Sequence, residues 1–224
     1  MSQGTLYLIA ASPRSSLFID LVKYLNLDIK ISDGTDPEYK KNFPLKKFPT
    51  FSGPKGSDYH LTEAIALLIY IISLKSPSDN YNFYGSNVLE QGKVWKWVSF
   101  VNSEMISTLV GFIYPVIGNL PYTKEGVAKA YADLESYADL FEEQLKETKY
   151  LATNDRPTLA DIWAVQSWRW AFQTAFDKAW LDNRPVLKKW FREIADTDPI
   201  ASLSLKGFEP VDVALKNEAP KKKL

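Results

Sequence analysis

The stretch Phe43, Pro44, Leu45, Lys46, Lys47, Phe48, Pro49, Thr50, Phe51, then Gly53, Pro54, Lys55, Gly56, and then Leu61, Thr62, Glu63, Ala64, Ile65, Ala66 reads as a basic loop, a hairpin and the start of an apolar helix. The Phe48–Pro49 bond follows the loop and leads into a short apolar strand, a setting in which a cis X-Pro bond turns the chain. With that bond cis, the Phe48 N–H and C=O lie on an open edge where an extended peptide-like ligand can pair as an added strand. Thr62 is the expected N-cap of the helix, which puts the Glu63 carboxylate at the positive end of the helix dipole. The expected outcome is a binding corner of one backbone edge, one helix N-terminus and one carboxylate.

Working upstream, Thr5–Ala10 is a β-type run carrying Leu6, Tyr7, Leu8 and Ile9, expected as a central strand buried on both faces. Ser12 and Pro13 then give an N-cap and a proline at the first helical position. Leu17, Leu21, Val22 and Leu25 recur at helical spacing as far as Asn26. Ile29 and Ile31 alternate in a second strand over Asp28–Ser32, and Asp33 to Pro37 turn into a short helical piece ending at Phe43. The hairpin is expected over Thr50–Ser52 and Ser57–His60. This order, βαβ, short helix, ββα, is that of a thioredoxin-like domain.

The helix from Thr62 to Leu74 is apolar nearly all round, so it is expected to be covered on more than one side. Lys75–Asn82, rich in Ser, Pro and Asn, reads as a linker. Everything beyond is helical in pattern: Val88 to Ile113 in steps of three and four up to a break at Pro115 and Gly118, then Ala128 to Leu145, then a Trp-rich helix, then one starting at Asn183, Arg184, Pro185. The expected fold is α/β plus all-α: a thioredoxin-like domain over residues 1–76, a helical domain over 83–206, and a disordered Lys-rich tail over 207–224.

Composition removes several classes of chemistry. Lys+Arg and Asp+Glu are 27 each, so no net charge draws the chain to nucleic acid or to an anionic membrane. With no cysteine there is no thiolate nucleophile, disulfide or Cys-based metal site. The single histidine, His60, is read as a half-buried strand residue, and one histidine rules out two-histidine zinc helices. The longest apolar run, Ala64–Ile72, has nine residues where a membrane helix needs about 20. No charged-then-apolar leader opens the chain, so the cytoplasm is the expected compartment.

The Leu61–Ala66 segment after a Phe-Pro-Thr-Phe strand resembles the glutathione site of the glutathione transferase family. The resemblance implies a glutathione site at Arg14, Lys47, Phe48, Pro49, Glu63 and Ala64, with the cis-proline loop holding the cysteinyl part and Glu63 the γ-glutamyl end. It implies no required cofactor, with glutathione as ligand or co-substrate. Such enzymes activate the thiol by a Ser or Tyr hydroxyl near the end of the first strand, which stabilises the thiolate. Ser12 fits that role, with Arg14 or Ser15 assisting, but Ser before Pro is also an ordinary N-cap. Tyr7 is the other candidate, and it is equally an ordinary strand residue. The family's enzymes carry Ser or Thr where this chain has Ala64. A missing hydrogen bond to a ligand carboxylate costs about 1.5–3 kcal/mol, which points to a weakened or unused glutathione site. Lys46 and Lys47 either face solvent or meet a glycine-end carboxylate.

Asp155, Arg156, Pro157, Thr158, Leu159, Ala160, Asp161, Ile162 resembles the structural signature of the same family's helical domain. Thr158 and Asp161 are read as a capping box, with Asp161 a cap rather than an acid catalyst. Trp95, Trp163, Trp168 and Trp170 are either core or the lining of an apolar second-substrate pocket, and Trp168 and Trp170 cannot share one helix face.

Within the family, Ser2–Tyr7, Phe43–Phe51 with Gly53–Gly56, Trp97–Ser99 with Asn102–Glu104, Gly118–Lys124 and Lys189–Phe191 are similar to the gamma subunits of translation elongation factor 1B. That resemblance implies a module binding the N-terminal region of the complex's nucleotide-exchange subunit, with no direct contact to nucleic acid or membrane. It also implies a chain that is either a piece of a longer protein or a short paralogue. The fold's habit implies a homodimer through Ala64–Ile72 and the long helix after it.

Overall fold

The computed structural model describes residues 2–75 and 82–220 and divides the chain into two compact units, residues 1–81 and 82–224. In the first unit β1 (Gly4–Tyr7), α1 (Pro13–Tyr24), β2 (Ile29–Ser32), α2 (Pro37–Asn42), β3 (Thr50–Ser52), β4 (His60–Leu61) and α3 (Ala64–Ser73) follow one another. The sheet order is β2-β1-β3-β4, with β1 parallel to β2 and antiparallel to β3, and β3 antiparallel to β4. β1 is therefore central. Its Leu6 and Tyr7, which point to opposite faces, are both buried. Gly4 begins it at φ 142°, and a Cβ there would lie 2.3 Å from the Ser52 carbonyl oxygen, so only glycine fits between the strands.

Several boundaries differ from expectation. β1 ends at Tyr7 rather than Ala10, which frees Ile9 to emerge half exposed. The second hairpin strand is His60–Leu61 rather than Ser57–His60, and His60 is exposed, with its Nδ1 3.1 Å from Ser52 Oγ. Glu63, not Thr62, occupies the N-cap position of α3, and its side chain makes no capping hydrogen bond. That helix packs on α1 and β3, and its Leu67, Leu68, Ile71 and Ile72 are buried while Ile69 stays 44% exposed. The linker read at Lys75–Asn82 falls, over residues 76–81, outside the described residues.

The second unit is helical: α4 (Val88–Phe100), α5 (Ile106–Val116), α6 (Lys124–Glu147), α7 (Leu159–Phe172), α8 (Lys178–Asp182), α9 (Pro185–Thr197) and α10 (Ser202–Leu205). A π-helical turn, Val101–Met105, joins α4 to α5 and re-phases the buried face, so that Val101, Met105 and Ile106 all point inward. Trp97, Trp163 and Trp168 are fully buried with Phe141 and Phe172, whereas Trp95 and Trp170 are half-buried. Two residues apart on α7, Trp168 and Trp170 divide as the helix period requires.

The reading of 207–224 as disordered is corrected over residues 207–220. Val211 N–H donates to the Phe172 carbonyl and Leu215 N–H to the Thr174 carbonyl. Asn217 accepts from the Tyr122 hydroxyl at 2.8 Å and donates to the Lys124 carbonyl at 2.9 Å. Polar composition suggested a solvated tail, but these bonds give its backbone and side chains fixed partners along α6 and α7. Residues 221–224 lie outside the described residues.

Candidate ligand-binding site

The strand register brings part of the predicted set to one end of the sheet. Tyr7 opposes Thr50, and Phe51 opposes Leu61. Continued past the ladders, this register sets Leu8 beside Pro49 and Pro49 beside Glu63. The β1–α1 turn, which ends at Ser12, leaves the sheet at that same end. By this register Pro49 and Glu63 fall side by side at one corner of the first unit, the end of the sheet from which the chain leaves β1 towards Ser12. The Phe48–Pro49 bond is cis. Neither the N–H nor the C=O of Phe48 has a partner among the described residues, so both remain free for an extended ligand.

The loop before that bond is held from behind. The Phe48 ring stacks on Tyr39 with centroids 4.8 Å apart, and the Tyr39 hydroxyl donates to the Lys47 carbonyl at 3.4 Å. Phe43 N–H bonds the Tyr39 carbonyl and Lys46 N–H the Phe43 carbonyl, each at 3.0 Å. Lys47 is exposed.

Ser12 is the N-cap of α1 in an extended conformation, yet its side chain makes no capping hydrogen bond. Its carbonyl accepts from Ser15 and Ser16 N–H, and its half-buried hydroxyl stays available. Arg14, next but one along α1, is also half-buried. Ser15, a proposed helper, has 0% exposure and a buried hydroxyl without a partner, so it faces the interior. Glu63 is exposed at φ 70°, a backbone conformation that L residues seldom adopt, and Ala64 behind it is buried. Strain of this kind is retained where surrounding structure fixes it, and here Glu63 caps α3 at the corner.

Tyr7 does not belong to this corner. It is 2% exposed, with its ring 5.2 Å from Tyr39 and 5.7 Å from Phe43. Burial first, then the charge of Asp36, raises its hydroxyl above the ordinary tyrosine range. The catalytic expectation for Tyr7 is therefore corrected: the side chain fills the core face of β1 and does not reach an open thiol position.

A hollow of about 530 Å³ lies beside the corner, lined by Leu8, Ile9, Ala10, Ile31, Ser32 and Asp33. Ile9 and Ile31 expose 50% and 40% of their surface there. At its rim the Thr35 hydroxyl and N–H hold the Asp33 carboxyl below the usual carboxylate range. The hollow is open to solvent, with Ile9 and Ile31 as its apolar border. Sequence reasoning missed it because the run Leu6–Ile9 looked like uninterrupted strand.

Asp161, in the second unit, is wholly buried at the first turn of α7. Its Oδ2 accepts from Thr158 N–H at 2.9 Å and from the Thr158 hydroxyl at 3.0 Å. Its Oδ1 accepts from Leu151 N–H at 2.9 Å and Trp190 Nε1–H at 3.0 Å. Burial pushes the carboxyl up while the four donors oppose that. Each oxygen is already shared by two protein donors and shut off from solvent. Asp161 holds α7, α9 and the Leu151 loop together and reaches no substrate. Among the described residues no helix is long and apolar enough to cross a membrane, and no cluster of His, Cys, Asp or Glu could hold a metal.

Comparison with known proteins adds to this geometry. The family model described as glutathione S-transferase, N-terminal domain, matches residues 2–73, and that described as glutathione S-transferase, C-terminal domain, matches residues 95–198. Elongation factor 1-gamma 2 of Saccharomyces cerevisiae is 33% identical over 99% of this chain and 53% of its own length. A glutathione S-transferase of Emericella nidulans is 30% identical over 98% of this chain and 82% of its own length. The crystal structure of the GST-like domain of elongation factor 1-gamma from Saccharomyces cerevisiae superposes with a TM-score of 0.82 at 32% identity, covering 99% of this chain and 100% of that one. The chain spans about half the length of elongation factor 1-gamma 1 and elongation factor 1-gamma 2 of Saccharomyces cerevisiae, which it matches.

Proposed function

The chain belongs to the glutathione transferase family, and from that premise we propose that it is a protein-binding module of the elongation factor 1-gamma type. On this reading it works in the cytoplasm in translation elongation, contacting the N-terminal region of the nucleotide-exchange subunit of elongation factor 1B. One observation carries the proposal. Similarity to the transferase-like domain of elongation factor 1-gamma runs through both units, over 99% of the chain, and takes in the whole of the solved domain. Ala64 supports it, because the α3 N-terminus offers no side-chain hydroxyl there to a ligand carboxylate. The test is co-purification of this chain with the exchange subunit's N-terminal region. Retention at micromolar concentration is expected, and no association would overturn the proposal.

A second reading is favoured by Ser12, whose hydroxyl makes no capping bond and which follows β1 at the end of the sheet where Phe48–Pro49 enters β3. There the chain would be a glutathione transferase, with Ser12 donating to the glutathione sulfur and stabilising its thiolate, which then attacks an electrophile. The peptide edge of Phe48 would take the cysteinyl backbone and Glu63 the γ-glutamyl ammonium. Calorimetry with glutathione and a conjugation assay with an aromatic electrophile decide it. Tight binding with turnover lost in Ser12→Ala would establish the enzyme.

A further inference from the structure

We propose that the C-terminal end of α2 and the loop after it form a docking surface for an acidic protein segment that carries a leucine-sized apolar side chain. The proposal stands on local charge and shape and does not rest on the translation reading. Between Tyr39 and Phe48 the chain has four lysines, Lys40, Lys41, Lys46 and Lys47, and no Asp or Glu, in a protein whose charges cancel overall. All four are exposed, and none forms an ion pair among the described residues. The nearest acids on α2 lie at its other end and are engaged. Asp36 accepts from Glu38 N–H at 2.7 Å, and Glu38 is 3.5 Å from the Asn42 amide. Lys40 and Lys41 in the last turn suit the helix dipole, but that does not account for Lys46, which lies beyond the helix.

In the middle of this charge, Leu45 is 75% exposed, more than any other large apolar residue described in the first unit. The chain turns outward at Lys46, φ 49°, and the Tyr39–Phe48 stack with the Tyr39–Lys47 hydrogen bond holds the loop in place. A fixed loop loses little conformational freedom on binding. An exposed leucine with exposed lysines before and after it in the chain matches a segment in which carboxylates flank an apolar side chain. A nucleic acid would meet the same cations but would find no use for Leu45 and no exposed aromatic platform in the loop.

The test is fluorescence anisotropy of the full chain with a labelled synthetic peptide alternating Glu and Leu. Comparison probes are a Glu/Ser peptide of equal charge and a single-stranded RNA of equal charge. The variants are the triple Lys40→Ser, Lys41→Ser, Lys46→Asn, in which Asn tolerates the positive φ, then Leu45→Ser, and the distant control Lys206→Ser. The Glu/Leu peptide is expected to bind best. The triple variant should weaken it about tenfold and Leu45→Ser several-fold, with no change in Lys206→Ser and unaltered far-ultraviolet circular dichroism throughout. The proposal is overturned if the wild-type chain does not bind the Glu/Leu peptide, if the triple variant binds it equally, or if the Glu/Ser peptide binds as well. Tighter binding of the RNA also overturns it, making the surface a nucleic-acid site.

Discussion

Replacing Asp161 with alanine removes the acceptor for four donors at once: Leu151 N–H, Thr158 N–H, the Thr158 hydroxyl and Trp190 Nε1–H. Leu151 and Thr158 are 0% exposed and Trp190 is 4%, so water does not replace the lost oxygens. An orphaned buried donor costs about 1–3 kcal/mol. The full sum is not reached, since the Thr158 hydroxyl can rotate and the desolvation that raises the Asp161 carboxyl is relieved. A net loss of about 3–5 kcal/mol is expected, in the range for breaking a buried charged network. Asp161→Asn keeps the volume and one oxygen, so it should cost less than Asp161→Ala. The assay is urea unfolding followed by tryptophan fluorescence. Its seven tryptophans all lie between Trp95 and Trp190, so the signal reports the second unit alone. In thermal melts the same loss corresponds to about 6–20 °C. If Asp161→Ala lost less than about 1 kcal/mol with an unchanged denaturant slope, the four-donor account of α7 would be refuted.

Three further outcomes are expected. Glu63→Gly relieves the φ 70° conformation and should raise stability by up to about 1 kcal/mol, seen as a higher denaturant midpoint for the first unit by circular dichroism. Gly4→Ala, whose Cβ would meet the Ser52 carbonyl at 2.3 Å in a backbone conformation foreign to alanine, should lose about 2 kcal/mol or more and speed amide exchange in β1 and β3. Lys149 and the Tyr150 hydroxyl hold the Glu193 carboxyl below its ordinary value. A depressed acid stabilises the fold above its unfolded value and loses that as pH falls. Glu193→Gln should therefore flatten the decline of the denaturant midpoint below about pH 4.5, an effect of under about 1 kcal/mol because the pair is partly exposed.

Much of the corner was legible because it depends on neighbours in sequence. Proline after Phe48, the strand Thr50–Ser52 and an acid one residue before an apolar helix are local facts, and strand pairing then leaves few ways to arrange them. Less legible were the ends of elements. Glu63 replaced Thr62 as the cap, since a favourable side chain for capping does not decide where the backbone first turns helical. Ser12 was the first candidate and Tyr7 the second by residue type and position, and burial separates them in the structure: one ring packs among aromatics, the other hydroxyl stays half open without a capping bond.

By itself, the sequence determined the division into a βαβ-ββα unit and a helical unit, because hydrophobic period and turn chemistry act over a few residues. It also determined the Thr158–Asp161 box, a pattern whose two ends are three residues apart. Only the tertiary structure decided that residues 207–220 are tied to α6 and α7, that Leu151 and Trp190 share Asp161, and that Ile9 and Ile31 border one hollow. Those contacts join positions from about ten to nearly a hundred residues apart, where composition carries no record of a partner and only the packed chain supplies one.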